Sequence, residues 1–326
     1  MEIKRLQDIK KPVALEMANF QKHFHESVKS DIPFLKLIIN YILRSKGKQI
    51  RPLFIFLTAK MMGRVNHSTY VAASLIELLH TATLVHDDVV DDSYQRRGQF
   101  SIYALWNSKV AVLLGDYMLA KGLLLSMNEN EIELLKIVSN AVQKISEGEL
   151  IQIKQSRKLQ LTEEQYFNII SKKTASLFSA CTCCAGKSVD SNNKEMDNLE
   201  LLGANAGIIF QIKDDILDYQ KKGMLGKPAG NDIKEKKLTL PLIFALNSSK
   251  TSEKNKIIRI IKSGKNKKSY MEEIIHFVNK YNGIEYATDV MLKYKDKTFT
   301  LLDSFPMNEY NTALRDLINY CAYRTK

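Results

Sequence analysis

The chain has 326 residues, 45% hydrophobic and 26% charged, a balance that supports a large buried core and argues against intrinsic disorder. Its 14 glycines and 6 prolines are few for a protein built from strands and tight turns. The net charge of +12 would suit nucleic acid, but only 10 of the 48 basic residues are Arg, so nucleic-acid binding is disfavoured. A weak peripheral contact with anionic membranes stays open.

The start of the chain and its cysteines bear on location. Met1–Met17 carries charges throughout and lacks the apolar region of a signal peptide, and apolar runs such as Val110–Leu114 are too short to cross a bilayer. Four cysteines, three of them within Cys181–Cys184, fit a reducing compartment better than a disulfide framework. A metal site at that cluster is the alternative, but no second ligand pair lies at a usable spacing. We therefore expect a cytoplasmic protein without a membrane span.

Apolar residues at helical spacing dominate the chain, and no proline occurs between Pro52 and Pro228. This spacing predicts helices at Phe34–Leu43, Pro52–Met62, Val71–Val90, Val110–Leu125, Ile132–Lys154 and Leu199–Tyr219, followed by others from Thr239 to Tyr323. Polar connections are predicted at Arg44–Arg51, Arg96–Gly98, Lys187–Asp197, Lys221–Asn231, Ser248–Lys256 and Lys262–Ser269. The sequence thus predicts an all-α fold that forms one domain over residues 1–326.

Two of the long predicted helices end in the same acidic pattern, Asp-Asp-x-x-Asp. The two copies are Asp87, Asp88 and Asp91, and Asp214, Asp215 and Asp218. Residues four apart share a helix face, so each copy directs at least two carboxylates the same way. Mg²⁺ usually binds one or two protein carboxylates together with substrate phosphates. A lone copy would more often be an exposed helix end, but two copies predict a site for several Mg²⁺ ions and a diphosphate.

A series of short motifs, read in order, resembles the trans-isoprenyl diphosphate synthase family, in particular its polyprenyl (octaprenyl and solanesyl) branch. Over roughly residues 44–245 the motifs are Gly47-Lys-Gln-Ile-Arg51-Pro, His80 to Asp91, Arg96-Arg97-Gly98, Gly115-Asp116, Glu147-Gly-Glu149, Lys172-Lys173-Thr174-Ala175, Phe210-Gln211 to Asp218, and Thr239-Leu-Pro241. The resemblance implies an isoprenoid synthase-type helical bundle around a central cavity, and a homodimer. One departure is Lys236, which stands where the family has a glycine.

The resemblance implies a Mg²⁺-dependent prenyltransferase that joins isopentenyl diphosphate head to tail with an allylic diphosphate. Diphosphate leaves the allylic substrate, the double bond of isopentenyl diphosphate attacks the resulting carbocation, and a proton is lost. Mg²⁺, with three ions in the substrate-bound state, would neutralise the leaving group. No protein general base is obvious, so the released diphosphate would take the proton.

The resemblance also assigns roles to individual residues. The metal would be held by the six aspartates, with Asp215 acting indirectly, either by orienting the other ligands or through a water. The allylic diphosphate would be bound by Arg96, Lys173, Lys227 and Lys237. Isopentenyl diphosphate would be bound without metal by Lys48, Arg51, His80 and Arg97. The catalytic residues would be Lys173, Thr174 and Gln211, and the side chains of Thr174 and Gln211 would face the cation.

Product length is predicted from the helix that ends in Asp87. Ala82 and Thr83 lie one turn deeper along this helix, where a growing apolar tail would descend. Short-chain members of the family carry bulky aromatics here, whereas both residues are small in this chain. We therefore predict long products, hexaprenyl to nonaprenyl, with a respiratory quinone side chain as their destination. The alternative for Ala82 is a tight contact between helices.

Three other functions remain to be tested. A terpene cyclase or head-to-head synthase would use the same fold, but cyclases usually lack the second full acidic motif and the pocket at Lys48 and Arg51. A non-catalytic subunit of a heteromeric synthase would lose aspartates, whereas all six are present here. A short-chain (farnesyl or geranylgeranyl) diphosphate synthase differs from the preferred function only in product length.

Overall fold

The computed structural model describes residues 3–44, 47–96, 98–159, 161–220, 237–263 and 268–325, and nearly all of them lie in helices. The α-helices, in chain order, are α1 Leu6–Ile9, α2 Ala14–Ser27, α3 Pro33–Arg44, α4 Ile50–Met62, α5 His67–Val90, α6 Ile102–Asn128, α7 Ile132–Lys158, α8 Glu163–Ile170, α9 Ser176–Ser188, α10 Asn193–Gln220, α11 Leu240–Ser248, α12 Thr251–Ser263, α13 Lys268–Lys280, α14 Gly283–Asp303 and α15 Glu309–Tyr323. The predicted all-α fold is confirmed.

Three short elements interrupt the helices. A 3₁₀ turn at Lys11–Val13 joins α1 to α2, and a π-helical turn at Ser171–Ala175 joins α8 to α9. An antiparallel hairpin follows α5, in which β1 Gln95–Arg96 pairs with β2 Gln99–Phe100. The hairpin and the π turn both carry predicted site residues.

Two of the predicted connections are wrong because their polar residues form exposed helix surface. Between α9 and α10 only residues 189–192 lie outside helix, so most of the predicted connection Lys187–Asp197 is helical. The predicted connection Ser248–Lys256 is mostly the first part of α12, which buries Ile257 and Ile261 four residues apart. The predicted loop Lys221–Asn231 lies outside the described residues.

Side-chain caps fix where α5 and α6 begin. The Asn66 side chain accepts a hydrogen bond from the Thr69 backbone N–H at 3.0 Å, and the Asn66 N–H donates to the Thr69 hydroxyl at 3.3 Å, so the two form a capping box. The Ser101 hydroxyl accepts from the Ala104 N–H at 3.1 Å at the start of α6. α6 then bends at Asn107, whose φ is +73°, and continues along α5.

The main apolar core draws on nearly the whole chain, from Ile9 in α1 to Ala322 in α15. A second cluster lies between α3, α5 and α6 and includes Ile38, Leu78 and Met118. α5 contributes to both clusters and is the central helix of the bundle. The first acidic motif therefore stands at the end of a helix that is packed on several sides.

Glycines allow α10 to lie against the π turn and α9. A Cβ at Gly207 would lie 2.5 Å from the Ala175 Cα, and a Cβ at Gly203 would lie 2.5 Å from the Phe178 carbonyl oxygen. Real Cβ atoms do not approach backbone this closely, so larger residues would push α10 away. The close packing sets the helix of the second acidic motif beside the π turn.

By length and composition, α5 and α6 could each cross a bilayer. In its most apolar stretch α5 is 61% buried, as expected of a core helix, whereas α6 is only 33% buried. The remaining helices among the described residues do not pass this test. α6 packs on α5 with one face and leaves a second apolar face exposed.

Candidate active site

The π turn Ser171–Ala175 presents the basic residues of the Lys-Lys-Thr-Ala motif toward α7. Lys172 forms an ion pair with Glu147, and Lys173 forms one with Glu149. The glycine between the two acids explains the Glu-Gly-Glu motif, because a Cβ at Gly148 would lie only 3.0 Å from the Lys173 backbone nitrogen. A π turn widens the helix and is frequent at functional sites.

A chain of hydrogen bonds joins the π turn to the second acidic motif. The Thr174 hydroxyl donates to the Gln211 Oε1 at 2.7 Å, and the Gln211 Nε2 donates to the Asp215 Oδ1 at 2.8 Å. The Tyr166 hydroxyl donates to the other Asp215 oxygen at 2.6 Å. Asp215 is only 2% exposed, so both oxygens of a buried carboxylate are held by neutral donors. An indirect role for Asp215 at the metal stays a prediction.

The first acidic motif ends α5, and the following hairpin folds back over it. The Arg96 Nε donates to the Asp88 Oδ1 at 2.8 Å, and the side chain of Asp88 is almost fully buried. Gly98, with φ at +76°, supplies the left-handed residue that the tight turn of the hairpin needs. Arg97 lies outside the described residues.

Asp87 is half-buried beside the almost fully buried Asp88. Burial raises the pKa of the Asp87 carboxyl, and the positive charge of Lys173 opposes that shift. Glu149 and Asp91 add to the rise because their negative charges disfavour ionised Asp87. Asp87 is thus a carboxylate that a nearby cation would stabilise, as a metal ligand should be.

Lys237 connects the two motifs. Its Nζ lies 3.9 Å from the Asp91 Oδ2, and it lines a cavity of about 110 Å³ together with Lys173, Thr174 and Asp215. Gln211 and Tyr166 line the same cavity. The cavity therefore lies between α7, α8, the π turn and α10, and Lys237 relates it to the first motif through Asp91.

Asp214, the first acid of the second motif, forms an ion pair with Arg324, just after α15. The Arg324 guanidinium lies 2.8 Å from the Asp214 Oδ1, and the side chain of Asp214 is 45% exposed. Asp218 is half-buried one turn farther along α10. Lys227, predicted to act from the following loop, lies outside the described residues.

Three predicted ligands of isopentenyl diphosphate lie near the start of α4 and on α5. The Arg51 Nη1 donates to the His80 Nε2 at 2.8 Å. Because arginine only donates, this bond makes His80 a neutral imidazole with its proton on Nδ1. The Arg51 guanidinium also lies over the Phe178 ring at 5.2 Å, and the Lys48 Nζ lies over the Tyr320 ring at 5.5 Å. His80 also lines a pocket with Asp88 and Arg96, so this basic group lies close to the first motif. Its role in binding isopentenyl diphosphate stays a prediction.

The two residues predicted to control product length lie in different surroundings. Ala82 is fully buried and belongs to the cluster between α3, α5 and α6. Thr83 is half-buried, and its hydroxyl donates to the His80 carbonyl oxygen at 3.0 Å. Their role in setting product length stays a prediction.

The sequence analysis missed three features of the site. Tyr166 and Arg324 were not singled out, and neither lies near its aspartate partner in the sequence. The π turn was not predicted either, although the motif that forms it was noted. No local pattern marks the first two residues, whereas the run Lys172-Lys173-Thr174 was at least a signal for the third.

Among the described residues, no group of three or more His, Cys, Asp or Glu side chains converges on a point where it could hold a metal ion. This agrees with the chemistry of Mg²⁺, which takes one or two carboxylates and completes its shell with water and phosphate oxygens. The donor set is nevertheless suitable, because both motifs offer carboxylates that solvent and ions can reach, at Asp87, Asp91 and Asp214. Cys181, Cys183 and Cys184 are buried and form no disulfide, so they act as packing residues of α9.

The polyprenyl synthetase family matches residues 32–278 of the chain. Octaprenyl diphosphate synthase of Escherichia coli (strain K12) is 32% identical over 322 residues, covering 98% of this chain and 99% of that protein. A crystal structure of polyprenyl synthase from Caulobacter crescentus CB15, complexed with calcium and isoprenyl diphosphate, superposes with a TM-score of 0.93 at 30% identity, covering 100% of both chains. Geranylgeranyl pyrophosphate synthase from Bacteroides thetaiotaomicron superposes with a TM-score of 0.82 at 39% identity, covering 97% of this chain and 98% of that one.

The helical bundle and its paired acidic motifs define a trans-prenyltransferase of the isoprenoid synthase type. The chain belongs to the polyprenyl synthetase family. The resemblance drawn from the motifs is confirmed.

Proposed function

We propose that this chain is a polyprenyl diphosphate synthase that condenses isopentenyl diphosphate with farnesyl or geranylgeranyl diphosphate to a long all-trans prenyl diphosphate. The observation that carries the proposal is the position of Lys237, which lies 3.9 Å from Asp91 of the first motif and lines one cavity with Lys173 and with Asp215 of the second motif. Two lysines at a cavity that reaches the second motif, one of them close to the first motif, suit a diphosphate bound beside divalent ions. The long product suits the side chain of a respiratory quinone.

Ionisation of the allylic substrate is assisted by charges that the fold holds in place. Lys173 is fixed at the π turn by Glu149, and Arg96 is fixed over α5 by Asp88. Bound Mg²⁺, which we propose numbers three ions with substrate present, would neutralise the charge that develops on the departing diphosphate. Because these groups are already oriented, little reorganisation is needed when the bond breaks.

The carbocation is stabilised and the proton removed without a protein base. The Thr174 hydroxyl fixes the Gln211 amide, so two polar groups border the reacting region in set orientations. Asp215, the one carboxylate that lines this cavity among the described residues, has both oxygens hydrogen-bonded. We therefore assign the proton to the released diphosphate, which remains beside the cation.

We propose that the growing tail descends along α5. Asp87, Thr83, Leu79 and Leu75 follow one another at four-residue spacing and so lie along one ridge of the helix. At 1.5 Å per residue, the ridge descends about 12 Å from Asp87 to Leu79 and about 18 Å to Leu75. Leu79 and Leu75 line an apolar cavity of about 210 Å³ between α5, α6 and α7. Positions 82 and 83, between Asp87 and this cavity along the chain, carry small residues and no bulky aromatic.

Product length is the property that separates this proposal from a short-chain synthase. Leu79→Phe should place a ring in the path and shorten the products, and Ala82→Phe should shorten them further, to the farnesyl or geranylgeranyl class. Leu15→Phe is the matched control, because Leu15 lies on α2 and is 70% exposed. Chromatography of products from isopentenyl and farnesyl diphosphates is the measurement. An unchanged ladder in an active Leu79→Phe enzyme would show that the tail does not follow this ridge.

The same assay on the purified chain alone tests for catalysis. A ladder of linear products establishes an autonomous synthase, a cyclic or head-to-head product indicates another enzyme class, and no product indicates a subunit that needs a partner. The retention of all six aspartates supports the first outcome. We further propose one domain for residues 1–326, because the main core includes side chains from α1 to α15.

The exposed face of α6 is the proposed homodimer interface. Leu113 is 68% exposed, Leu124 is 54% exposed and Met127 is 58% exposed, an apolar surface that a monomer in water would rarely leave open. Leu124→Asp should convert a dimer into monomers of 37.3 kDa in light scattering, whereas Leu15→Asp should not. A wild-type monomer that floats with anionic vesicles would instead assign this face to a membrane. The four free, buried cysteines support a cytoplasmic location.

A further inference from the structure

Arg324, just after α15, occupies a position where the proposed function requires a divalent ion. Its guanidinium lies 2.8 Å from the Asp214 Oδ1 and donates to the Phe210 carbonyl oxygen at 3.2 Å. It also lies over the Phe210 ring, 4.1 Å from the centroid. The side chain is only 7% exposed, so this charge is held inside the protein.

We propose that Arg324 is an internal counter-ion that holds Asp214 in the metal-free enzyme and competes with the divalent ion for it. Mg²⁺ binds carboxylate oxygen at about 2.0–2.1 Å. A guanidinium bonded to the same carboxylate would then lie within a few ångströms of a doubly charged ion and repel it. Metal binding at Asp214 therefore requires Arg324 to weaken or leave its ion pair. The proposal rests on the proposed function only in treating Asp214 as a metal ligand.

Arg324 is anchored through its backbone, but one donor of its side chain is left without a hydrogen bond among the described residues. Its backbone N–H donates to the Tyr320 carbonyl oxygen at 2.9 Å, which ties it to the end of α15. Its Nε is buried and has no hydrogen-bond partner within the described part of the chain. A buried donor without a hydrogen bond destabilises this position of the side chain. The guanidinium can therefore leave Asp214 when Asp214 binds a metal ion. A purely structural arginine in the core would be expected to satisfy this donor.

The surroundings of Arg324 favour an exchange rather than a permanent pair. Asp214 is 45% exposed, so an ion can approach it from solvent. Adding a divalent ion to Asp214 without displacing Arg324 would place two cations on one carboxylate and raise the repulsion between them. Competition lowers the affinity for metal until substrate diphosphate contributes its own ligands.

Metal affinity of the intact protein tests the proposal without an activity assay. Mn²⁺ would be titrated into the protein by electron paramagnetic resonance, once alone and once with inorganic diphosphate. Arg324→Gln should tighten Mn²⁺ binding by about five- to tenfold, in the lower range of coupling between sites. Arg324→Lys keeps the charge but loses the planar fork, so it should tighten binding by less. Arg315→Gln on α15 is the matched control, because Arg315 pairs with Asp303 at 2.6 Å, and it should not change binding.

Thermal unfolding gives a second readout. Arg324→Gln should lower Tm in EDTA, and the loss should shrink with saturating Mn²⁺ because the wild-type ion pair is then already broken. Unchanged or weaker Mn²⁺ binding in both Arg324 variants, with the same Tm loss with and without metal, would overturn the proposal and make Arg324 a structural residue. Asp214→Asn that binds Mn²⁺ as well as the wild type would instead overturn the metal assignment of the proposed function.

Discussion

The two acidic motifs share one sequence pattern, yet the fold treats them differently. In the first motif, Asp88 is buried and paired with Arg96, which follows it by only eight residues. In the second motif, Asp215 is buried and held by the neutral donors Tyr166 and Gln211. The same position in the pattern thus accepts a hydrogen bond from a charged side chain in one copy and from two neutral side chains in the other.

This difference shows how the protein keeps acidic clusters stable without metal. An ionised carboxylate in the interior needs either an opposite charge or several hydrogen-bond donors. The first motif obtains its counter-charge from the hairpin that follows α5, which is a local solution. The second motif depends on α8 and on the end of α15, which come together only in the folded bundle.

The first prediction compares the acids that should bind metal with one that should not. Asp87→Ala and Asp214→Ala should each lower kcat by at least about 10², as expected when a principal electrostatic stabiliser is lost. Steady-state kinetics at saturating Mg²⁺ is the measurement. Asp92→Ala is the control, because Asp92 is exposed and accepts a hydrogen bond from the Tyr103 hydroxyl. Near-normal turnover of either Asp variant would mean that its motif does not act in the reaction.

The second prediction concerns the neutral donors of the second motif. Tyr166→Phe removes one hydrogen bond to Asp215 and should lower the apparent affinity for Mg²⁺ about tenfold, the lower range for residues that orient metal ligands. At saturating Mg²⁺ kcat should recover, because the ligand itself is intact. Tyr286→Phe is the matched control, since its hydroxyl binds the carboxylate of Glu163 at 2.8 Å outside the two motifs. Equal Mg²⁺ dependence in both variants would contradict an orienting role for Tyr166.

Much of the fold could be predicted because helical spacing is a local signal. The end of α5 was predicted at Val90 and the end of α10 at Tyr219, within one residue of the structure. The errors arose where polar residues cover helix surface, as at the start of α12. Composition alone does not distinguish such a surface from a loop, because the buried residues that decide it, Ile257 and Ile261, are few.

The site could be predicted only as far as its motifs extend. The motifs identified Asp87, Lys173 and Gln211. In the structure the charge of Lys173 acts on Asp87, and Lys173 and Gln211 line the same cavity. The partners of the second motif could not be predicted, because Tyr166 and Arg324 meet it through tertiary packing that no spacing in the sequence encodes. The π turn belongs to the same class, since its extra residue depends on how α7 and α10 pack around it.

The third prediction compares two neighbours within the first motif, in EDTA, by denaturant unfolding. Asp88→Asn should lower the free energy of unfolding by about 1 kcal/mol, because it weakens a charge-assisted hydrogen bond to a partly exposed Arg96. Asp87→Asn should be neutral or stabilising at neutral pH. Burial raises the pKa of Asp87 above its ordinary value of 3.8. In the pH window between that ordinary value and the raised pKa, the native state binds more protons than the unfolded state. Stability conferred on the wild type by protonated Asp87 is therefore lost as pH rises through the window, and Asp87→Asn should remove that loss. Equal destabilisation by both substitutions at every pH would show that the two acids have equivalent environments.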